Sequence, residues 1–365
     1  MKLTIPSNAE KILQVLNENG YEAYVVGGCV RDSILDRNPN DWDITTSASP
    51  YQVKELFPRT IDTGLQHGTV TVMMDKEGYE ITTYRVDGDY EDGRHPKEVT
   101  FTSSLEEDLK RRDFTINAMA YHPKEGLVDL FHGMDDMENK IIRCVGDPME
   151  RFHEDALRIM RAVRFSAQLG FEIEEQTKAG ISRLTSNLKN VSAERIQAEL
   201  VKLLVSPHPD YLRTAYETGI TKEFLPEFDL CMETEQNTPY HCFTVGEHIL
   251  HSLLYVEADK VLRLTMLLHD IAKPVMKTTD ENGRDHFKRH AAVGEEMSKK
   301  ILRRLKFDND TIEKVSRLIR YHDDRPEGQM RAVRRAMNRI GEELFPLYLE
   351  VQKADMLAQS EYCRD

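Results

Sequence analysis

The sequence lacks any run of about eighteen apolar residues, which excludes an obvious membrane-spanning helix. Its first residues, MKLTIPSNAEKIL, lack the apolar core of a signal peptide, so a cytoplasmic location is expected. Cysteine is scarce. Cys29, Cys144, Cys231, Cys242 and Cys363 are scattered, odd in number and without metal-ligand spacing, which fits reduced thiols rather than a disulfide framework. An excess of basic residues is missing too. Lys and Arg number 49 against 63 Asp and Glu, a net charge of −14. That excludes a surface coated all over by nucleic acid, and any RNA must be held by a local basic patch. With 365 residues the chain is too long for one ordinary core, and roughly two to four soluble, globular domains are expected.

The stretch from Val25 to Thr46, VVGGCVRDSILDRNPNDWDITT, organises what is present. A short apolar strand leads into Gly27 and Gly28, with Arg31 and Asp32 just behind. A helical segment and a loop broken by Pro39 follow. The stretch closes with Asp41-Trp42-Asp43 and the β-prone Ile44, Thr45 and Thr46. Glycine lets backbone N–H groups approach an anion and Arg adds a forked donor, so Gly28 and Arg31 make a phosphate cradle. Alternate residues of a strand face the same way, so Asp41 and Asp43 are expected to project together. Two close oxygen ligands suit Mg²⁺, and the pattern predicts two-metal phosphoryl transfer from a nucleoside triphosphate.

Around this stretch the chain alternates between helical and extended patterns. Residues 7–19 and 50–57 read as helices, the first capped by Ser7 or Asn8 and stopped by Gly20. Residues 67–74 and 79–85 read as a hairpin turning at DKEG, which would bring Glu80 to the same site as a third carboxylate. Residues 86–98 are a polar, glycine-rich loop. Residues 126–148 read as strand, turn and strand closing the sheet, with Gly146 and Pro148 marking a boundary. In residues 152–171, Asp155, Arg158, Arg161 and Arg164 fall at successive i,i+3 steps on one helix face. A carboxylate accepts from the exocyclic amine of cytosine or adenine. Uracil and guanine offer a carbonyl there. Asp155 with Arg158 would therefore select CTP and ATP and reject UTP and GTP.

Four motifs in order carry a resemblance to a family. GGCVRD and DWDIT resemble the signature of the tRNA nucleotidyltransferase and poly(A) polymerase family, on a polymerase-β-like palm. RRDFTINAMA (111–120) is similar to a further family motif, which implies Arg112 on the triphosphate and Asp113 orienting it or its neighbour. EDALR (154–158) resembles the EDxxR motif of bacterial CCA-adding members, where protein side chains replace a template. That implies Asp155 and Arg158 as base readers, with Arg161 and Arg164 touching nucleotide or supporting the pair. ERIQAEL (194–200) is family-like, with Glu194 and Arg195 bracing that helix and Ser192 as its cap. In the family a flexible loop in the position of 86–98 accompanies addition of the terminal A, which argues against a CC-only enzyme. After a proline-rich stretch the histidines concentrate: His241, His248, His251, His269, His286, His290 and His322. LLHDIAKP resembles the HD phosphohydrolase superfamily. It implies His248, His269, Asp270 and Asp355 as ligands of a transition metal, with His290 and His322 at a second.

The expected fold is an α/β nucleotidyltransferase palm with a mixed sheet over residues 1–148, an all-α neck and RNA-binding body over 149–235, and an all-α HD domain over 236–365. The expected function is template-independent addition of C, C and A to the tRNA 3′ end from CTP and ATP, with release of pyrophosphate. Its Mg²⁺ would sit on Asp41 and Asp43, and its phosphate contacts on Gly28, Arg31 and Arg112. The alternatives are an enzyme adding only A, an HD-type phosphohydrolase with an RNA-binding N-terminal half, and a non-enzymatic RNA-binding protein. The sequence ends at SEYCRD, where family members continue into a tRNA-gripping helical tail, so a short member or a fragment is expected.

Overall fold

The computed structural model describes residues 1–87, 99–238 and 243–359. Most of the 86–98 loop, His241, Cys242, Cys363 and the closing residues therefore lie outside the described residues. The chain folds as two compact units. The first comprises Met1–Arg158 and Glu172–Leu184, and the second comprises Ile159–Phe171 and Thr185–Asp365.

The first unit opens with helix α1 (Ser7–Glu18), which follows Pro6 without a side-chain cap and buries Ile12, Leu13 and Leu16. Strand β1 (Ala23–Val26) is fully buried and runs straight into α2 (Gly28–Ile34) through Gly27. Strand β2 (Ile44–Thr46) is followed by α3 (Pro50–Leu56), whose start is fixed by a reciprocal Ser49–Gln52 capping box. Then come β3 (Thr60–Gly64), β4 (Thr69–Met74) and β5 (Glu77–Thr83). The expected hairpin is β4–β5, and Asp75 and Lys76 both take positive φ, as a two-residue turn requires. Strands β6 (Arg85–Asp87) and β7 (Val99–Phe101) form a separate ribbon. Helix α4 (Leu105–Lys110) leads to β8 (Met119–His122) and β9 (Gly126–Asp129). The main sheet is ordered β3-β4-β5-β2-β1-β8-β9. Its neighbours are antiparallel except for the parallel β2–β5 pair, which makes the expected mixed sheet.

Two expectations fail here for local reasons. Residues 126–148 are not strand, turn and strand. After β9 the Asp129 carboxylate accepts from the N–H groups of Gly133 (2.8 Å) and Met134 (2.9 Å) and starts a helix, α5 (Gly133–Glu138). The next strand, β10 (Ile141–Ile142), leaves the main sheet and pairs in parallel with β11 (Glu172–Ile173). Residues 152–171 are likewise not one helix. Helix α6 (Pro148–Glu154) ends at Asp155, whose φ of −139° is extended, and α7 (Leu157–Leu169) begins beyond it. The Asp155 carboxylate accepts from Leu157 N at 3.0 Å and so starts the second helix. The first unit ends with α8 (Glu175–Leu184).

The rest of the second unit is almost entirely helical. It contains α9 (Ala193–Leu204), α10 (Leu212–Glu217), α11 (Ile220–Phe224), α12 (Pro226–Glu233), α13 (Val245–Leu253), α14 (Lys260–Leu268) and α15 (Lys273–Met276). A small hairpin pairing Thr278–Thr279 with Asp285–His286 precedes α16 (His290–Arg304), α17 (Asn309–Tyr321), α18 (Met330–Ile340) and α19 (Phe345–Gln359). Ser192 stands at the N-cap of α9 as expected, but its side chain makes no capping bond. Among the described residues no helix is long and apolar enough to cross a membrane.

Gly246, in the first turn of α13, shows how tightly these helices pack. A Cβ there would lie 2.4 Å from Met232 Sδ and 2.6 Å from the Met232 backbone. Gly246→Ala should lower the stability of the second unit by about 2 kcal/mol, because the obstacle is backbone and cannot rotate away. Thermal unfolding followed by circular dichroism measures it, and an unchanged midpoint would refute the close packing.

Candidate functional site

The first site grows from the turn between β1 and α2. Gly27 has φ of 83°, and its N–H donates to Met119 O at 3.0 Å. A Cβ on Gly27 would stand 3.1 Å from Arg112 Nη1, and one on Gly28 would stand 3.6 Å from Arg31 Nη2. The glycine pair is therefore walled by the two arginines that the sequence assigned to phosphates. Arg31 is buried and held on two sides. Its Nη1 donates to Asn117 Oδ1 at 2.6 Å and its Nε to Asp32 Oδ1 at 2.8 Å. Asn117 is oriented in turn by Asp113, which accepts from Asn117 Nδ2 at 3.2 Å. Asp113 thus reaches Arg31 through Asn117.

Asp41 and Asp43 precede β2 rather than lying within it, and both are exposed. Asp43 still belongs to the sheet edge, since Val26 N donates to its carbonyl at 3.0 Å. The parallel register pairs Ile44 with Ile81, so Asp43 is level with Glu80 on β5. Solvent reaches Asp43, yet the surrounding protein desolvates its carboxyl and raises its pKa. Arg112 opposes that rise, and Glu80 and Asp41 add to it. Three carboxylates and one arginine thus share a single field. Like charges crowded together are stabilised by a cation, and an all-oxygen donor set suits a hard divalent ion. Arg112 Nε is buried with no hydrogen-bond partner, a donor left over beside the glycine turn.

Arg112 is positioned by Asp108, a fully buried carboxylate. Arg112 Nη2 lies 3.5 Å from it, Arg111 Nε donates at 3.1 Å, and Thr45 Oγ1 on β2 donates at 3.0 Å. Burial pushes the Asp108 carboxyl up. Arg111, Arg112 and Thr45 outweigh burial and hold it below its ordinary range. The neighbouring Arg111 carbonyl accepts from Arg158 Nη2 at 3.0 Å, so one short segment carries Arg112 and touches Arg158. Arg158 is also bound to Glu154 at 2.5 Å, and Glu154 holds Arg151 at 2.6 Å. The structure brings Gly28, Arg31, Asp41, Asp43, Arg112, Asp155 and Arg158 into the first unit.

Arg161 and Arg164 lie in the second unit. Arg164 Nε donates to the buried Glu199 at 2.7 Å, and Arg161 lies 4.0 Å from the same carboxylate. This contact comes from Glu199 of α9, whereas the sequence pointed to Glu194 and Arg195 of the same helix.

The second site is the histidine cluster of the second unit. His248, His269, Asp270 and Asp355 are all buried with their ligand atoms within 4.8 Å of one another, and Asp270, His290 and His322 form an adjoining group. Each imidazole turns Nδ1 to a backbone carbonyl: His248 to Ala358, His269 to Met266, His290 to Phe287 and His322 to Ile319. A carbonyl can only accept, so Nδ1 carries the proton and Nε2 is left as the ligand atom. The Nε2 atoms meet in pairs, 3.1 Å apart for His248 and His269 and 3.2 Å apart for His290 and His322. Asp270 lies between the pairs. Both its oxygens are buried without a hydrogen-bond partner, although Lys273 Nζ stands 2.7 Å away as an ion pair. Burial pushes the Asp270 carboxyl up, but the Lys273 ammonium beside it holds it far below its ordinary range. Converging lone pairs and a buried carboxylate fit divalent cations, which His248, His269, Asp270 and Asp355, with His290 and His322 beside them, would hold.

Sequence reasoning missed Asp108, Asn117 and Glu199. Asn117 and Asp108 lay inside or beside quoted motifs, but their partners are set by tertiary contacts. The spacing of Arg161 and Arg164 to a buried acid across two helices had no sequence signal.

Residues 23–143 match the poly A polymerase head domain, residues 170–232 the probable RNA and SrmB-binding site of polymerase A, and residues 239–360 the HD domain. The chain is 53% identical over 220 residues to the CCA-adding enzyme of Lactobacillus helveticus, which spans 60% of this chain and 55% of that protein. It is 52% identical over 209 residues to the CCA-adding enzyme of Enterococcus faecalis, covering 56% and 52%. The crystal structure of the Bacillus stearothermophilus CCA-adding enzyme in complex with CTP superposes with a TM-score of 0.75 at 32% identity, over 95% of this chain and 77% of that one. The matched region spans about half the length of the curated relatives.

Asp108→Asn should destabilise the first unit by about 3 kcal/mol, because two arginines lose a buried counter-charge. The wild-type contribution has a definite sign. Asp108 is held below its ordinary value, so its stabilisation is full above about pH 4 and is lost as pH falls through the lower folded value. The stability gap between wild type and variant should therefore shrink in acid. Urea titrations at several pH values test this, and a gap independent of pH would refute it.

Proposed function

The chain belongs to the tRNA nucleotidyltransferase and poly(A) polymerase family, with CCA-adding enzymes among its relatives, and we propose from that membership that it adds C, C and A to tRNA 3′ ends. CTP and ATP are the substrates and pyrophosphate is released. The observation that carries the reading is the shared field of Asp41, Asp43, Glu80 and Arg112 beside a glycine turn walled by Arg31 and Arg112. Asp41 and Asp43, with Glu80 level beside them, would hold Mg²⁺. When bound, Mg²⁺ supplies activation of the tRNA 3′-OH and neutralisation of the triphosphate. Arg31 and Arg112 orient the phosphates, and the Gly27–Gly28 turn lets them approach the backbone. Asp155 accepts from the amine of C or A, and Arg158, held by Glu154 and the Arg111 carbonyl, donates to ring acceptors. Arg161 and Arg164, gripped by Glu199, support the base-reading segment. A nucleotidyltransferase palm (1–148), a helical RNA-binding body (149–235) and an HD domain (236–365), set in the cytoplasm, belong to the same proposal. The unpaired Cys29, Cys144 and Cys231 accord with a reducing compartment.

A second reading is favoured by the converging imidazoles. The cluster of His248, His269, Asp270 and Asp355, with His290 and His322, would bind transition metals and act as a metal-dependent phosphohydrolase. A bound metal would there supply Lewis-acid activation of water.

Three tRNA transcripts, ending before CCA, after C and after CC, should take C, C and A in turn when given Mg²⁺ and each labelled nucleotide. Addition of A to the third transcript alone would make the enzyme A-adding only. Asp41→Ala should cut all incorporation by about 10³-fold or more, and Arg158→Ala should admit UTP or GTP by losing its hydrogen bonds to the base. Unaltered incorporation by Asp41→Ala would sink the polymerase reading. Asp270→Ala should abolish phosphatase activity and bound transition metal while leaving nucleotide incorporation intact. Retention of both would remove the second reading.

A further inference from the structure

The histidine cluster opens on a cavity of about 430 Å³, a size suited to a nucleotide-sized ligand. Its lining includes Asp270, His290 and His322 of the cluster together with Arg284, Lys288 and Arg289. Arg284 sits in the turn of the small hairpin, Lys288 and Arg289 lie between that hairpin and α16, and all three are exposed. Among the described residues none of their side chains makes an ion pair or a hydrogen bond. Surface cations in this protein otherwise commonly sit on carboxylates, as Lys299 does on Glu295 and Arg304 on Glu227.

Four acids line the cavity, Asp270, Asp285, Asp323 and Asp355, and all but the exposed Asp323 are engaged. Asp285 is buried and accepts from Asn237 N, Thr279 Oγ1 and Lys277 Nζ. Asp355 faces His248 and His269. Asp270 is the ligand between the histidine pairs. A divalent cation at the cluster adds further positive charge, so the cavity mouth is built for an anion. The scaffold under the cations is fixed, because Asp285 ties the hairpin to Asn237 and His286 pairs with Asp280 at 2.9 Å. Arg289 itself is held at φ of 68°, a left-handed conformation that an arginine adopts only when its surroundings impose it. His290, a ligand atom donor, is the next residue. The same backbone constraint therefore aims a metal-site histidine and a cation at one cavity.

We propose that Arg284, Lys288 and Arg289 form a phosphate-binding rim that presents a phosphate group to the histidine cluster. The chemistry favours phosphate over a carboxylate. A tetrahedral dianion offers several acceptor oxygens to several cations at once, whereas a carboxylate offers two. The proposal rests on the phosphohydrolase reading of the cluster and assigns that site's substrate-holding residues.

The test is binding of inorganic phosphate to the full chain by titration calorimetry, with CTP present throughout to fill the nucleotide site. It is run on protein loaded with Mn²⁺ and on protein stripped of metal. The triple variant R284Q/K288Q/R289Q should bind phosphate about tenfold more weakly or worse in both forms, since three charge-assisted contacts are lost. Equal affinity in wild type and triple variant overturns the rim. Absence of Mn²⁺ uptake overturns the phosphohydrolase reading instead, and the metal-free titration still decides the rim. R289G separates charge from structure. Glycine accepts the positive φ without strain, so its thermal midpoint should not fall while phosphate affinity does. R289K should restore affinity. A fall in midpoint with unchanged affinity would make Arg289 merely structural.

Discussion

The buried carboxylate of Asp108 is the constraint on which the first unit depends. A carboxylate removed from water costs several kcal/mol unless charged and polar partners surround it. Its partners come from separate places: Thr45 on β2, Arg111 and Arg112 beyond α4, and the backbone of Arg85. Meeting them fixes the end of α4 against the sheet. Arg112 then has one place to go, over a glycine with no Cβ, and the Arg111 carbonyl is left facing Arg158. The placements of Arg112 and Arg158 are thus set by the same packing event.

Much of this was legible in short motifs, because the relevant chemistry is local there. A glycine turn and two spaced aspartates say little singly, but within twenty residues of one another they point to a shared site. The mixed sheet and the β4–β5 hairpin were legible too, since alternation and turn residues act over a few positions. Failures came where one polar side chain outvoted periodicity. Asp129 turned an expected turn into α5, and Asp155 broke an expected helix in two. In both cases a carboxylate captured backbone N–H groups that a regular pattern would have used otherwise. Asp108, Asn117 and Glu199 were illegible for a different reason. Their roles depend on partners tens of residues away, such as Arg31 for Asn117 and Arg164 for Glu199.

The two candidate sites solve opposite electrostatic problems. Asp41, Asp43 and Glu80 are exposed oxygens crowded against one another, an arrangement suited to an ion that keeps much of its water. The cluster around Asp270 is buried and imidazole-rich, suited to an ion held by the protein itself. In a chain with a net charge of −14, Arg31 and Arg112 nonetheless meet beside Gly27 and Gly28, and Arg284, Lys288 and Arg289 line the histidine cavity.

The histidine anchoring has a further consequence. His269 and His322 stand at the C-caps of α14 and α17, and each donates Nδ1–H to the carbonyl three residues before it. Those carbonyls lie in the last turns of the helices, and that of Ile319 also accepts from the His322 N–H at 3.4 Å. Finishing the helix and choosing the imidazole tautomer are therefore a single event. The rotational and tautomeric freedom of these rings is removed during folding, so the ordering entropy of the ligands is charged to the fold and not to the cation.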